Sequence, residues 1–305
     1  MRCGKWHVRF AVLMAFCQMG SITRCADVIV DRNITYGKAG EFELKLDLAR
    51  PGRDGLFPAI VFIHGGGWHL SDRQAYRQEI REAAEKGYVA VTIDYRLMKF
   101  DEAKKESTTA APIFPAQIHD AKAAVRWLRA HADQYHVDPH RIGVTGASAG
   151  GHLSLLVGLT DPTANLEGES GNPGQSSRVQ AVVNVFGPTD MVGCYEKSTV
   201  AWIFRLFMGG TPDEAGQRYR AASPITYVTK DDPPVLTVHG DQDALVPVEQ
   251  AIRLDAKMKA AGAFHQLTVF EGQKHGFRDE YQRKAMDAMW AFFDQHLQQR
   301  VDSAN

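Results

Sequence analysis

Arg141-Ile142-Gly143-Val144-Thr145-Gly146-Ala147-Ser148-Ala149-Gly150-Gly151 is the stretch whose reading decides the fold. Its first five residues read as a buried strand, and the next six place one serine between glycines where that strand turns into a helix. A turn this tight strains the serine backbone and leaves almost no room for side chains two positions away on either side, a demand that Gly146 and Gly150 meet. The hydroxyl of Ser148 then projects from the crest of a sheet. Taken alone, the pentapeptide also suits an ordinary glycine-rich strand-to-helix turn, so the rest of the chain has to decide.

A nucleophilic serine needs a base, a carboxylate to orient that base, and donors for the oxyanion. Downstream, the strand-like run Val235-Leu236-Thr237-Val238 ends in His239-Gly240-Asp241-Gln242-Asp243-Ala244-Leu245-Val246-Pro247. A second run, Gln266 to Phe270, leads into Glu271-Gly272-Gln273-Lys274-His275-Gly276-Phe277. The candidates follow in the order Ser, Asp, His, which is the α/β-hydrolase order and neither the chymotrypsin nor the subtilisin one. Each sits just past the carboxyl end of a strand, where open α/β sheets collect their ligand-binding groups. Upstream, Ala59 to Ile63 reads as a fully buried strand running into His64-Gly65-Gly66-Gly67-Trp68. The backbone N–H groups of Gly65 and Gly66, with that of Ala149, are candidates to meet the negative oxygen of a tetrahedral intermediate.

These four segments together resemble the HGGG-type carboxylesterases of the α/β-hydrolase superfamily. Thr35-Tyr36-Gly37, Ile93-Asp94-Tyr95-Arg96, Phe114-Pro115-Ala116-Gln117 and Ala222-Ser223-Pro224-Ile225 extend the likeness, from Val28 to His296, to bacterial feruloyl and acetyl-xylan esterases. The resemblance implies a mostly parallel central sheet with helices on both faces and a small insertion near the active site. It implies Ser148 as nucleophile, His275 as general base and then acid, Asp243 as the orienting carboxylate, and Gly65, Gly66 and Ala149 as oxyanion donors. Asp243 is preferred to Asp241 because the family's D-x-x-V-P portion begins there. His64 and Asp94 are expected to hold structure. Trp68, Tyr95 and Asp190 are candidate substrate contacts; core packing is the alternative for the two aromatics, and a turn or helix cap for Asp190. The implied substrates are small-molecule or plant-polysaccharide esters, with no cofactor. An amide hydrolase of arylformamidase or exopeptidase type is the alternative activity on the same fold, and a noncatalytic binding protein is the alternative from another class.

The 305 residues, 44% of them hydrophobic, suffice for one large enzyme domain over residues 26–305. Arg2, Lys5, Arg9 and Arg24 have no acidic neighbour before residue 26, so a net charge of −1 conceals an acidic body that offers no footing for nucleic acid or anionic membranes. The basic start, the apolar run from Phe10 to Met19 and the polar stretch through Arg24 have the layout of a signal peptide over residues 1–25, hence export, with a membrane anchor or a disordered start as the alternative. That apolar run is too short for a comfortable span of a bilayer. Cys3, Cys17 and Cys25 fall in or at the end of this leader, leaving Cys194 as an idle buried thiol. His136 and His140 have the i, i+4 spacing of two metal ligands, but Pro139 breaks the helix between them, and no metal is expected.

Val28 to Tyr36 and Glu43 to Leu48 read as paired edge strands, and Tyr88 to Ile93 as a buried one. Ile118 to His131, Ala149 to Leu159, Val248 to Ala261 and Glu280 to Leu297 read as helices. The polar stretch Met98 to Pro115 and the segment Asp190 to Lys230, with Tyr195, Trp202, Phe204, Phe207 and Met208, break the alternation. Specificity is expected there, the second as a short helical insertion near Ser148.

Overall fold

The computed structural model describes Met1 and residues 27–101, 104, 106–107 and 112–298. The leader expected over residues 1–25, with its three cysteines, lies outside the described residues, as does part of the charged run between Asp101 and Glu106.

Eight strands form one sheet: β1 (Val28–Ala39), β2 (Phe42–Pro51), β3 (Phe57–Ile63), β4 (Val89–Ile93), β5 (Val137–Ala147), β6 (Ala181–Val185), β7 (Val235–Gly240) and β8 (His265–Phe270). Their order across the sheet is β1-β2-β4-β3-β5-β6-β7-β8. The β1–β2 and β2–β4 pairs are antiparallel and all others parallel. The edge hairpin is longer than the apolar alternation suggested, because the ladder continues through the pairs Gly37–Leu44, Lys38–Glu43 and Ala39–Phe42.

The parallel strands are apolar on both faces, so alternate side chains feed two cores. From β3, Val61 and Ile63 join one core while Ile60 and Phe62 join the other. Helices α2 (Ala116–Ala130) and α3 (Ala149–Leu159) bury Ile118, Leu128, Leu153 and Leu156 in the first. The second is closed by α1 (Arg77–Glu85), through Ile80 and Ala83, and by the C-terminal helix Asp279–Phe293, through Trp290 and Phe293. Asp190 to Lys230 contains three short helices, α4 (Met191–Lys197), α5 (Ala201–Met208) and α6 (Pro212–Ala221). Among the described residues, no helix is long and apolar enough to cross a membrane.

Register sets up the site. Ile63 pairs with Gly146, and Ala147 with Val185, so β3 and β5 end side by side. Gly240 pairs with Phe270, so the loops after β7 and β8 start at one level. Behind β5 the C-terminal helix packs so closely that a Cβ at Gly143 would lie 2.6 Å from the ring of Phe293. Gly143→Ala is therefore expected to lower stability by about 1–3 kcal/mol through overpacking. A urea midpoint equal to that of the wild type would show that the helix is not held this tightly.

Candidate active site

Strand β5 delivers Ser148 into a backbone conformation that L residues avoid, φ 56° and ψ −118°. The surroundings enforce it: the Ser148 N–H donates to Val185 O at 2.9 Å, and the Ser148 carbonyl accepts from His152 N at 3.0 Å. A Cβ at Gly146 or Gly150 would lie 2.4 or 1.9 Å from the Ile63 carbonyl oxygen, so only glycine fits at either position.

The structure brings Ser148, His275 and Asp243 together. Nε2 of His275 is 3.0 Å from Ser148 Oγ, and Nδ1 is 2.7 Å from Asp243 Oδ2. A carboxylate only accepts, so Nδ1 carries the ring proton and Nε2 offers its lone pair to the serine hydroxyl. The Phe186 ring, 4.7 Å away, backs the imidazole.

Asp243 is anchored through Oδ1, which accepts from the N–H groups of Leu245 and Val246 at 2.9 Å each. Burial opposes its charge, yet hydrogen bonding from His239 and His275, attraction to the His275 ring when that ring is protonated, and the Val246 N–H outweigh burial and hold its pKa down at about 2. Asp241 serves the neighbouring turn, accepting from Gly272 N at 2.7 Å and so tying the acid loop to the histidine loop.

The glycine loop after β3 lies against the serine turn. Gly66 (φ 104°), Gly67 (φ 57°) and Trp68 (φ 61°) all take positive φ, and a Cβ at Gly66 would strike Leu70 O at 2.3 Å. Among the described residues, the N–H groups of Gly65, Gly66 and Ala149 have no protein acceptor. The loop is braced by Tyr95, whose hydroxyl donates to His64 O at 3.0 Å and whose ring stacks on His64 at 4.3 Å. His64 Nδ1 donates to Gly65 O at 2.8 Å, and burial lowers the His64 pKa. Asp94 accepts from the backbone N–H and the guanidinium of Arg73, fixing the loop that follows.

A cavity of about 310 Å³ opens over Ser148 and His275, walled by Trp68, Val200, Ile203, Phe204, Leu245 and Val246. Trp68 reaches it as part of a packed wall, 2% exposed and stacked on Phe207 at 4.0 Å. Two expected substrate contacts are corrected. Tyr95 is 1% exposed beneath the glycine loop and does not line the cavity, because its hydroxyl is committed to His64 O. Asp190 caps α4 through Gly193 N and pairs with Arg253 Nη1 at 2.6 Å, which turns it away from the cavity.

Three histidines escaped the sequence reading. His239 Nε2 donates to Val246 O at 2.8 Å and lies 3.4 Å from Asp243 Oδ2, beneath the carboxylate; its i, i+4 spacing from Asp243 was the available clue. His69 lines the cavity. His152, one turn into α3, places Nε2 2.7 Å from Ala222 O and so ties the end of the insertion to the helix that follows the serine. Among the described residues no cluster of three His, Cys, Asp or Glu side chains is arranged to hold a metal. His136 ends a short helix and His140 lies in β5. Cys194 is buried, and burial pushes its thiol pKa up.

A model of the BD-FAE family matches residues 46–258 of the chain. Esterase LipC of Mycobacterium tuberculosis (strain ATCC 25618 / H37Rv) is 35% identical over 232 residues, covering 72% of this chain and 53% of LipC. The chain thus spans about half the length of the curated relatives it matches. Among solved structures, a truncated carbohydrate esterase from gut microbiota aligns with a TM-score of 0.76 at 29% identity, over 90% of this chain and 98% of that one. Esterase Est2 of Thermogutta terrifontis aligns with a TM-score of 0.72 at 26% identity, over 92% and 96%.

His152 generates a pH prediction. Burial depresses its pKa from an ordinary 6.5 to about 4, so between those values the unfolded chain binds a proton that the folded chain refuses. Stability is therefore expected to fall by about 3 kcal/mol as the pH drops through that window, with no further loss from this residue below it. His152→Gln should flatten that part of the urea stability–pH profile; an unchanged slope would assign it to other groups.

Proposed function

The chain belongs to the BD-FAE family of α/β-hydrolases, and from that membership we propose that it is a serine carboxylic ester hydrolase working through an acyl-enzyme. The observation that carries this is the His275 ring standing between Ser148 Oγ at 3.0 Å and Asp243 at 2.7 Å, at the base of a largely apolar cavity. Ser148 Oγ attacks the ester carbonyl carbon while its proton passes to His275 Nε2. Asp243 keeps the imidazole in the required tautomer and stabilises the imidazolium. The oxygen that gains charge is met by the N–H groups of Gly65, Gly66 and Ala149, which no protein group occupies among the described residues. His275 then returns the proton to the departing alcohol oxygen as the carbon–oxygen bond breaks. Water, deprotonated by the same nitrogen, releases the acid and restores the serine.

The substrates we propose are acetyl or hydroxycinnamoyl esters of plant-type polysaccharides, or related short acyl esters. Similarity to a carbohydrate esterase and to Est2 supports that choice, as does the apolar lining of the cavity. The basic and apolar start of the sequence supports export through residues 1–25, with the remainder forming one catalytic domain.

The test is release of acetate from acetylated xylan and of ferulate from a feruloyl sugar, beside simple aryl acetates. Turnover confined to the aryl acetates would leave a generic esterase, and turnover of none would overturn the reading. Ser148→Ala is expected to lower kcat by roughly five to six orders of magnitude. Asp243→Asn, which permits the wrong tautomer, should lower it roughly 10⁴-fold with little change in KM. An Asp243→Asn enzyme within tenfold of the wild type would remove the carboxylate from the mechanism.

A further inference from the structure

The cavity over Ser148 is lined by backbone and apolar side chains apart from three groups, Ser148, His275 and His69. The first two face each other. His69 is left over, and its ring is not idle packing.

We infer that His69 recognises substrate, its Nε2 accepting a hydrogen bond from a hydroxyl group carried by the ester; this rests on the hydrolase reading above. Nδ1 of His69 lies 3.0 Å from Gly67 O, and a carbonyl only accepts. In the neutral ring Nδ1 therefore holds the proton and Nε2 the lone pair. Among the described residues Nε2 has no protein partner, and the ring is only half-buried.

Three segments fix the ring. It stands over Gly67, where a Cβ would come within 3.1 Å of Nδ1 and Cε1 and within 3.5 Å of Ile203 on α5. It meets Phe100 edge-on at 4.9 Å and lies 6.3 Å from Trp202. An acceptor held this way, inside an otherwise apolar cavity, discriminates between ligands. One that brings a hydroxyl pairs the lone pair, and one that displaces water without bringing a donor leaves it stranded. The hydroxyl belongs either to a phenolic acyl group or to the alcohol beside the ester bond. Both sources share the same chemistry, and substrate pairs separate them.

The experiment compares kcat/KM of the full chain with that of His69→Phe and His69→Gln on two matched pairs: methyl 4-hydroxycinnamate against methyl cinnamate, and 2-hydroxyethyl acetate against ethyl acetate. The wild type is expected to favour the hydroxylated member of one pair by roughly tenfold. His69→Phe should bring that preference to within about twofold of unity, by lowering kcat/KM on the hydroxylated member more than on the other. His69→Gln, which keeps an acceptor, should retain part of the preference, and it serves as the test if the phenylalanine variant fails to fold. Equal preference in the wild type and the folded variants, or a loss of equal size on both members, would overturn the inference and leave the hydrolase reading intact. No turnover of any ester by the wild type would overturn both.

Discussion

The carbonyl oxygen of Ile63 lies so close to the serine turn that no side chain fits at Gly146 or Gly150, and the rest of the site is built on that approach. Because two strand ends and the first turn of α3 meet without side chains between them, the glycine loop after β3 and the N–H of Ala149 can face the same point in space. A methyl group at either position would push strand and helix apart. It would also spoil the alignment of those N–H groups with Ser148, which under the proposed mechanism contributes to rate only when fixed beforehand. The strained backbone of Ser148 persists for the same reason, since its N–H and carbonyl are both held by neighbours.

Around this contact the protein places imidazoles where water is scarce. His64, His152 and His239 are each buried and each donate one ring N–H to a backbone carbonyl, and burial lowers the pKa of His64 and His152. All three stitch loops together near the serine. The one full charge in the cluster, on Asp243, is satisfied by two backbone N–H groups, His239 and His275. With few mobile dipoles nearby, a carboxylate so held acts on the His275 ring with little screening. The cavity above is apolar, so its few polar atoms govern orientation.

That cavity is a joint product of distant segments. Gly66 to Leu70 form one side, α5 another, and Leu245 with Val246 a third. Stacking of Trp68 on Phe207 and the bond from His152 to Ala222 hold the insertion against the sheet. Helix α5 therefore acts as a wall held against the edge that carries Ser148.

Local pattern in the sequence was enough for many of the elements, though not for α1 or β6, and it singled out the candidate triad. Apolar runs ending in Gly or His marked β3, β5 and β7, and spacing marked α2 and α3, because a strand's burial on both faces and a helix's apolar stripe are written in consecutive residues. The order of Ser148, Asp243 and His275 carried the fold for the same reason, each being announced by its own short loop. Tertiary structure alone decided the lining. Tyr95 follows a strand end as Trp68 does, yet register sends it beneath the loop while Trp68 reaches the wall. His69, His152 and His239 are placed by Gly67, Ala222 and Asp243, contacts that depend on backbone geometry and on residues up to 70 positions away. A single chain states which side chains exist and which segments curl or extend; which groups face one another across a cavity is set only when separate elements pack.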